Sequence, residues 1–506
     1  MSTLTRPEPV TEVADQKPDL EPGKVLRRVI ERLGGLRVVS PACCLILLTI
    51  ACFGPSITYD FVNWDDTWYV VENDLIKSWT PGNLYHIATE IAIRNYAPLT
   101  LYSYLIDYTI WGMWPGGYHL TNILLHALNA ALVYTLLLRF VPNRTVAFVA
   151  AALFAIHPVQ VESVVWISSR KGLLSATFLL ASLLCWLRPE RTTRQELWGT
   201  AFLALALLAK IIAIMVPPIV LLYDMLIVKK TKSEAVVRQF IPGMLAAWLL
   251  IINMSAQNSE LGGVRGHLDL SRWEIFQLDL VILWQYVGML LWPQNLAVLY
   301  DPATTGIGGQ IALAALGWLA VAAVTWKLRH RLPQLGWALA IMILFLLPVL
   351  NLFPITTLMN DRYLYLPSIP FFALVASAAA SLIGWMVERL EKIAVTRIAD
   401  FDATSSAHAQ RVRWTLLMSG FLLVVAYTGK TVAYMPVWRN GMSLWTYTEQ
   451  QVPHLAVVQI QMANTLQAEG RTEDARMHLL YALEHCSPDE LDRQRIEQKL
   501  AEWKIN

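Results

Sequence analysis

Charge is scarce in this chain. Of its 506 residues only 15% are Asp, Glu, Lys or Arg, while 56% are hydrophobic; soluble domains carry about 25% charged residues. That balance excludes an ordinary soluble globular protein, and a net charge of +2 leaves no basic field of the kind that gathers nucleic acid. Cysteine is scarce as well. Cys43, Cys44, Cys52 and Cys185 lie in apolar stretches and Cys486 lies near the end, with no CxxC and no Cys/His ligand spacing. Neither a disulfide scaffold nor a zinc site is indicated.

What the sequence has is long apolar runs, from about residue 37 to 433, separated by short loops. They are long enough to cross a bilayer as helices, so the chain reads as an all-α, polytopic membrane protein. The polar, Pro- and acid-rich opening, residues 1–36, reads as a disordered cytoplasmic tail. The first run follows too late for a cleaved signal and reads as a membrane helix. Loops rich in Lys and Arg belong on the cytoplasmic side. Alternating from a cytoplasmic N-terminus works as far as "KKTK", but three runs then separate "KKTK" from "KLRHR", and the shared side of those loops requires an even number of crossings. "FQLDLVILWQYVGMLLWP", with Gln277, Asp279 and Gln285, is therefore expected to lie in the interface or re-enter. That leaves about eleven spans (ten to twelve) with the C-terminus outside. The membrane domain is expected over 37–436, its first outer loop over 57–118, and a soluble helical region over 437–506. In that last region Ala463, Leu466, Gly470, Ala475, Leu479 and Ala482 fall at the small and apolar positions of a single tetratricopeptide-like unit, which is expected to dock on the outer face.

The topology sends several ionisable groups to the outer side. "FVNWDDTWYVVEN" carries Asp65 and Asp66, either a helix cap or a carboxylate base at the membrane surface. Trp64 and Trp68 beside them serve as interface anchors or as stacking surfaces for a sugar. "HPVQVESVVWISSRKG" adds His157, Glu162, Arg170 and Lys171, and two adjacent cations outside oppose the usual charge bias unless an anion joins them. Lys210, between two apolar runs, either snorkels or meets an anion. "LMNDRYLYLPSIP" brings Asp361, Arg362 and Tyr363 to the mouth of a span, as a structural pair or as part of a site. Together, outer carboxylates and cations at membrane level describe a place for a lipid-linked phosphate with a base nearby.

These segments, with "YAPLTLYSYLIDYTIWG" and "GYHLTNILLHALNAALVY", resemble the transmembrane and tetratricopeptide repeat-containing O-mannosyltransferase family and its bacterial relatives, members of the GT-C superfamily, in order from about 38 to 486. The resemblance implies a GT-C fold with juxtamembrane helices on the outer face and an acidic catalytic residue in the first outer loop. It implies transfer of a sugar, mannose in the family, from a polyprenyl-phosphate donor to a hydroxyl, with inversion. By the same resemblance, Asp65 is the base, Asp66 its partner and Glu162 a second acid. Arg362, Lys210, Arg170 and Lys171 hold the donor phosphate, and Trp64, Trp68, His157 and Tyr363 contact acceptor or sugar. No cofactor is indicated with certainty; a divalent metal, if one binds, would fall to Asp65, Asp66 and Glu162. The partners implied are the lipid-linked donor, the bilayer and a protein or glycan acceptor, without nucleic acid, and the location is a bacterial inner membrane. Two other readings are a transporter or flippase for a lipid-linked substrate and a non-enzymatic scaffold that binds protein through the repeat. The eukaryotic members carry many repeats and this chain about one, so the acceptor stays open.

Overall fold

Proline and capping residues punctuate the apolar runs, and the helices begin and end where they do. Thr192 accepts from the Gln195 backbone N–H while the Gln195 side chain accepts from the Thr192 N–H, opening the helix Thr193–Ala209; such a box satisfies two of the amides that a helix start leaves unbonded. Asn143 caps Arg144–Ile156 in the same sense. That helix stops at His157-Pro158, since proline has no N–H to continue the ladder, and the next turns, Pro158–Val165, leave at 51°. The computed structural model describes residues 40–91, 95–257, 270–351, 357–397, 405–486 and 490–503. The expected tail over 1–36 lies outside them, as does the loop "LGGVRGH". Among the described residues the chain is helical, with no extended strand.

By length and composition, six described helices can cross a membrane: Pro41–Thr58, Pro115–Leu137, Arg272–Leu291, Gly308–Leu328, Ser368–Leu390 and Gln410–Trp438. Counting the bent pairs Arg144–Ile156 with Pro158–Val165, and Lys232–Arg238 with Phe240–Ser255, gives eight. The chain is a multi-pass membrane protein. The difference from the eleven spans expected has a local cause: Arg170–Trp186 and Thr193–Ala209 are 17 residues each, and Ile211–Leu226 and Pro333–Val349 are shorter apolar helices. The segment expected to lie in the interface is a continuous helix, Arg272–Leu291, and is among the six. Asp279, which argued against it, is buried and accepts from the Asn351 side chain at 2.9 Å, so its polar group is matched inside protein.

The centre of the bundle is built from Pro115–Leu137 and Arg144–Ile156, with Ala127, Ala130, Ala147, Ala150 and Ala151 buried between neighbours. Small side chains let helices approach closely where lipid removes any hydrophobic drive between them. Arg170–Trp186 packs on Thr193–Ala209 at Gly199, where a Cβ would stand 2.2 Å from the Trp186 indole nitrogen. Ser182 and Ser175 lock the same pair by donating to Gly199 O at 2.7 Å and Ala206 O at 2.9 Å. One end of this pair carries an ion cluster, Arg191 to Asp224 at 2.6 Å and Arg238 to Glu196 at 3.0 Å. The other end carries Lys171 and Lys210.

Past the last long helix come Gly441–Gln451, Ala456–Ala468, Thr472–His485 and Glu490–Glu502. Ala456–Ala468 and Thr472–His485 form a helical hairpin turned at Gly470 in the left-handed region (φ 80°). Ala463, Leu466, Ala475, Leu479 and Ala482 are buried within it. The C-terminal helices rest on the first loop and on residues 296–301: Tyr447 donates to Leu296 O at 2.7 Å, and His454 meets Asp301 at 2.6 Å.

Candidate functional site

Asp65 and Asp66 are neighbours with opposite surroundings. Residues 67–71 form a wide π-helical turn after them, and the Asp65 carbonyl, not a carboxylate, accepts from the Tyr69 N–H at 2.9 Å. Asp66 is buried. Its carboxylate accepts from the Val62 N–H at 3.1 Å, from the Ser168 N–H at 2.9 Å and from the Ser168 hydroxyl. It fastens the first loop to the turn that leads into Arg170–Trp186. Burial, with a smaller push from Asp65, raises its pKa to about 6, against the pull of those donors. Asp65 stays one-quarter exposed and meets the Lys171 ammonium at 3.4 Å.

An acid whose pKa is raised by folding stabilises the fold below its unfolded pKa, and that stability is lost as pH rises through the folded value. Asp66 therefore contributes a penalty that develops between pH 3.8 and about 6, on the order of 3 kcal/mol. Asp66→Asn, which cannot titrate, is expected to lose its dependence on pH in that window, so the stability difference, wild type minus variant, falls across it. Thermal unfolding of both proteins at pH 4 and pH 7 measures this; parallel curves would contradict it.

Lys171 stands 4.8 Å from the centre of the Tyr69 ring. Its neighbour Gly172 faces Lys210, whose Nζ is 4.0 Å from where a Cβ on Gly172 would sit. Lys210 closes Thr193–Ala209 and is near enough to Lys171, Arg362 and Glu162 to feel their charges. Its backbone is bonded, with Lys210 O accepting from the Ser175 hydroxyl at 3.2 Å, but its side-chain nitrogen has no hydrogen-bond or ion-pair partner among the described residues. Arg362 lies in the turn Asp361–Leu364. Its guanidinium pairs with Glu162, whose other oxygen accepts from the Arg362 backbone N–H at 2.8 Å, and it stands 5.4 Å from the Trp166 and Tyr363 rings. Asp65, Lys171, Lys210, Arg362 and Glu162 thus converge at one end of the bundle. Glu162 is buried and spent on Arg362, so the Lys210 amine lies beside Lys171 and Arg362 without an acid of its own. Like charges gathered near a membrane are costly unless an anion joins them.

Other residues named from sequence stand elsewhere. Arg170 does not face the cluster. It is fully buried, paired with Asp107, bonded to Asn122 Oδ1 and Tyr118 O at 2.8 Å each, and 4.7 Å from the Tyr104 ring. Adjacent helical residues point about 100° apart, which turns Arg170 inward and Lys171 to the mouth. His157 is buried between Phe372 and Tyr427, 5.0 and 4.5 Å between ring centres, and its Nδ1 accepts from the Val159 N–H, so that it caps a turn inside the bundle. Trp64 packs on Trp445 at 5.0 Å, Trp68 is half exposed, and Tyr363 bonds Thr357 at 2.8 Å. Asp65, Asp66 and Glu162 do not gather as a donor set, since Asp66 turns to Ser168 and Glu162 to Arg362; among the described residues no three His, Cys, Asp or Glu side chains do. Sequence reasoning missed Ser168, Asp107, Asn122 and Tyr69. Only Tyr69, four residues after Asp65, gives a local signal. A cavity of about 320 Å³ lies apart from this cluster, among Met442, Met462, Leu466, Met477 and His478.

No family model matches the chain. Over 520 residues it is 25% identical to human protein O-mannosyl-transferase TMTC1, a match covering 89% of this chain and 55% of that protein. The chain is a relative of the protein O-mannosyl-transferases. Mouse TMTC3 is 24% identical over 88% of this chain and 51% of its own length, and human TMTC4 is 33% identical over 29% of this chain and 23% of its own. The chain spans about half the length of the relatives it matches along most of its own. Among solved structures, ArnT from Cupriavidus metallidurans bound to undecaprenyl phosphate aligns over 84% of this chain and 81% of that one, at 14% identity and a TM-score of 0.36.

Proposed function

We propose that this protein is an integral membrane glycosyltransferase of GT-C type that moves a sugar, as its mannosyl-transferring relatives do, from a polyprenyl-phosphate donor to a hydroxyl. One observation carries the reading: a partly exposed carboxylate, Asp65, stands beside Lys171 at the edge of a cluster in which Lys210 lacks an acid. A sugar on a phosphate already has a stable leaving group. The reaction therefore needs cations on the phosphate and a base on the acceptor more than it needs a general acid.

In this reading the donor phosphate displaces Asp65 from Lys171 and settles among Lys171, Lys210 and Arg362. Asp65 accepts the proton of the acceptor hydroxyl as its oxygen attacks the anomeric carbon. The bond from that carbon to the phosphate oxygen breaks with its electron pair on the phosphate, and attack from the opposite face inverts the centre. Glu162 fixes Arg362 through both the guanidinium and the backbone, and Asp66 fixes the loop. The site then lies on the outer face of a bacterial inner membrane, with residues 437–506 docked beside it. The acceptor is a protein or a glycan.

The phosphate is testable without knowing the sugar. Purified protein in bilayer discs, titrated with polyprenyl monophosphate and with the matching polyprenol, is expected to bind the phosphate selectively. Lys210→Met should weaken that binding by about 10- to 100-fold, the worth of one charged hydrogen bond. Equal affinity for phosphate and alcohol would overturn the assignment.

A further inference from the structure

The short loop that carries Asp65 is gripped from both ends. Asp66 fastens it to Ser168, as above. Asn63 fastens it to the C-terminal helices: the Trp445 indole N–H donates to Asn63 Oδ1 at 2.8 Å, and Asn63 Nδ2 donates to Thr465 Oγ1 at 2.8 Å and to Gln461 O at 3.2 Å. Trp64 follows, packed at a tilt on Trp445 with 5.0 Å between ring centres. Just upstream the Asp60 N–H donates to Arg439 O at 2.8 Å. The seat is tight, since a Cβ on Gly441 would come within 2.3 Å of Asn63 Oδ1. Thr465 passes the bond on, donating to Gln461 O at 2.8 Å within its own helix. The partners of Asp60, Asn63 and Trp64 all come from residues 439–465, some 400 positions along the chain from the loop.

We infer that Asn63 is a positioning residue through which the C-terminal helices, by Trp445 and Thr465, set the place of the Asp65 carboxylate. The inference rests on the reading of Asp65 as the base. Asn63 uses its acceptor and its donor on this one interface, and two residues of chain leave Asp65 little freedom once Asn63 and Asp66 are both held. A reacting group misplaced by about 1 Å loses about a hundredfold in rate, so a loosened loop is read out in turnover.

Thr465 offers a test from the far side of the contact. In full-length protein assayed with a polyprenyl-phosphate sugar, Thr465→Val and Asn63→Ala are expected to lower kcat by about 10- to 100-fold, with the donor KM unchanged. Thr465→Ser, which keeps the hydroxyl, should retain wild-type turnover. Gly441→Ala combined with Asn63→Ala should be no worse than Asn63→Ala alone, because both act on one contact. Melting curves taken alongside give the folded fraction at assay temperature. Unchanged kcat in Thr465→Val and Asn63→Ala, or a fall only in proportion to folded protein, overturns the inference while an active wild type leaves the base reading standing. A wild type inactive with every such donor overturns the base reading and the inference together.

Discussion

Asp65→Asn is expected to lower sugar transfer by about 100- to 10,000-fold, the range a positioned general base contributes, while leaving the protein folded. The amide matches the carboxylate in size but has no basic oxygen to take the acceptor's proton. Fold should survive because Asp65 is partly exposed and, among the described residues, its side chain makes one polar contact, with Lys171 at 3.4 Å. That contact also gives the variant a second signature. Freed of its acid, Lys171 holds the donor phosphate at least as well, so KM for the donor should stay level or fall as kcat collapses. Asp66→Asn should behave in the opposite way. Its carboxylate serves two backbone amides and the Ser168 hydroxyl, so the change should show first in stability, with the largest cost below pH 4 and a smaller one at neutral pH, and in turnover only as far as the loop moves. Kinetics and melting of the two variants side by side check the division; equal losses in both would mean that the pair acts as one unit.

The second large effect concerns folding. Arg170→Met is expected to destabilise the protein by about 3–5 kcal/mol, the cost of leaving one partner of a buried ion pair alone. Asp107 would keep a charge in a site from which Arg170 excludes solvent, and Asn122 and Tyr118 would each lose a donor. Lys171→Met, one residue on, should cost little stability and weaken donor binding instead. Denaturation of the purified variants, with Arg170→Met combined with Asp107→Asn as a control that removes both charges, separates these effects. A stable Arg170→Met protein would contradict the account of this pair.

The contrast between Arg170 and Lys171 shows where the sequence stops being informative. "ISSRKG" presents two adjacent cations, and only the register of the helix beginning at Arg170 decides which turns into the bundle. The same holds for "WDD": the acid that is buried is the one that meets Ser168, a partner 102 positions away. No local pattern announces such a contact. Features with local causes were legible. The apolar runs and the Ala and Leu positions of the C-terminal hairpin act within a few residues. The number of spans was less so, because hydropathy does not show that runs such as Arg170–Trp186, Thr193–Ala209 and Ile211–Leu226 form helices shorter than the others. Asp279 misled for a related reason: its match, Asn351, is 72 residues away. The convergence of Asp65, Lys171, Lys210, Arg362 and Glu162 was anticipated as a shared side of the membrane. The pairing of Glu162 with Arg362, which leaves Lys210 without an acid, emerges only from the folded chain.

Product analysis of a single turnover tests the central claim most directly. Purified protein in bilayer discs is given a set of polyprenyl-phosphate sugars with hydroxyl acceptors, and both products are quantified by mass spectrometry. The account predicts polyprenyl monophosphate and glycosylated acceptor in equal amounts from the wild type, and neither above background from Asp65→Asn. Equal transfer by Asp65→Asn, or release of a lipid pyrophosphate or nucleotide in place of the monophosphate, would contradict it.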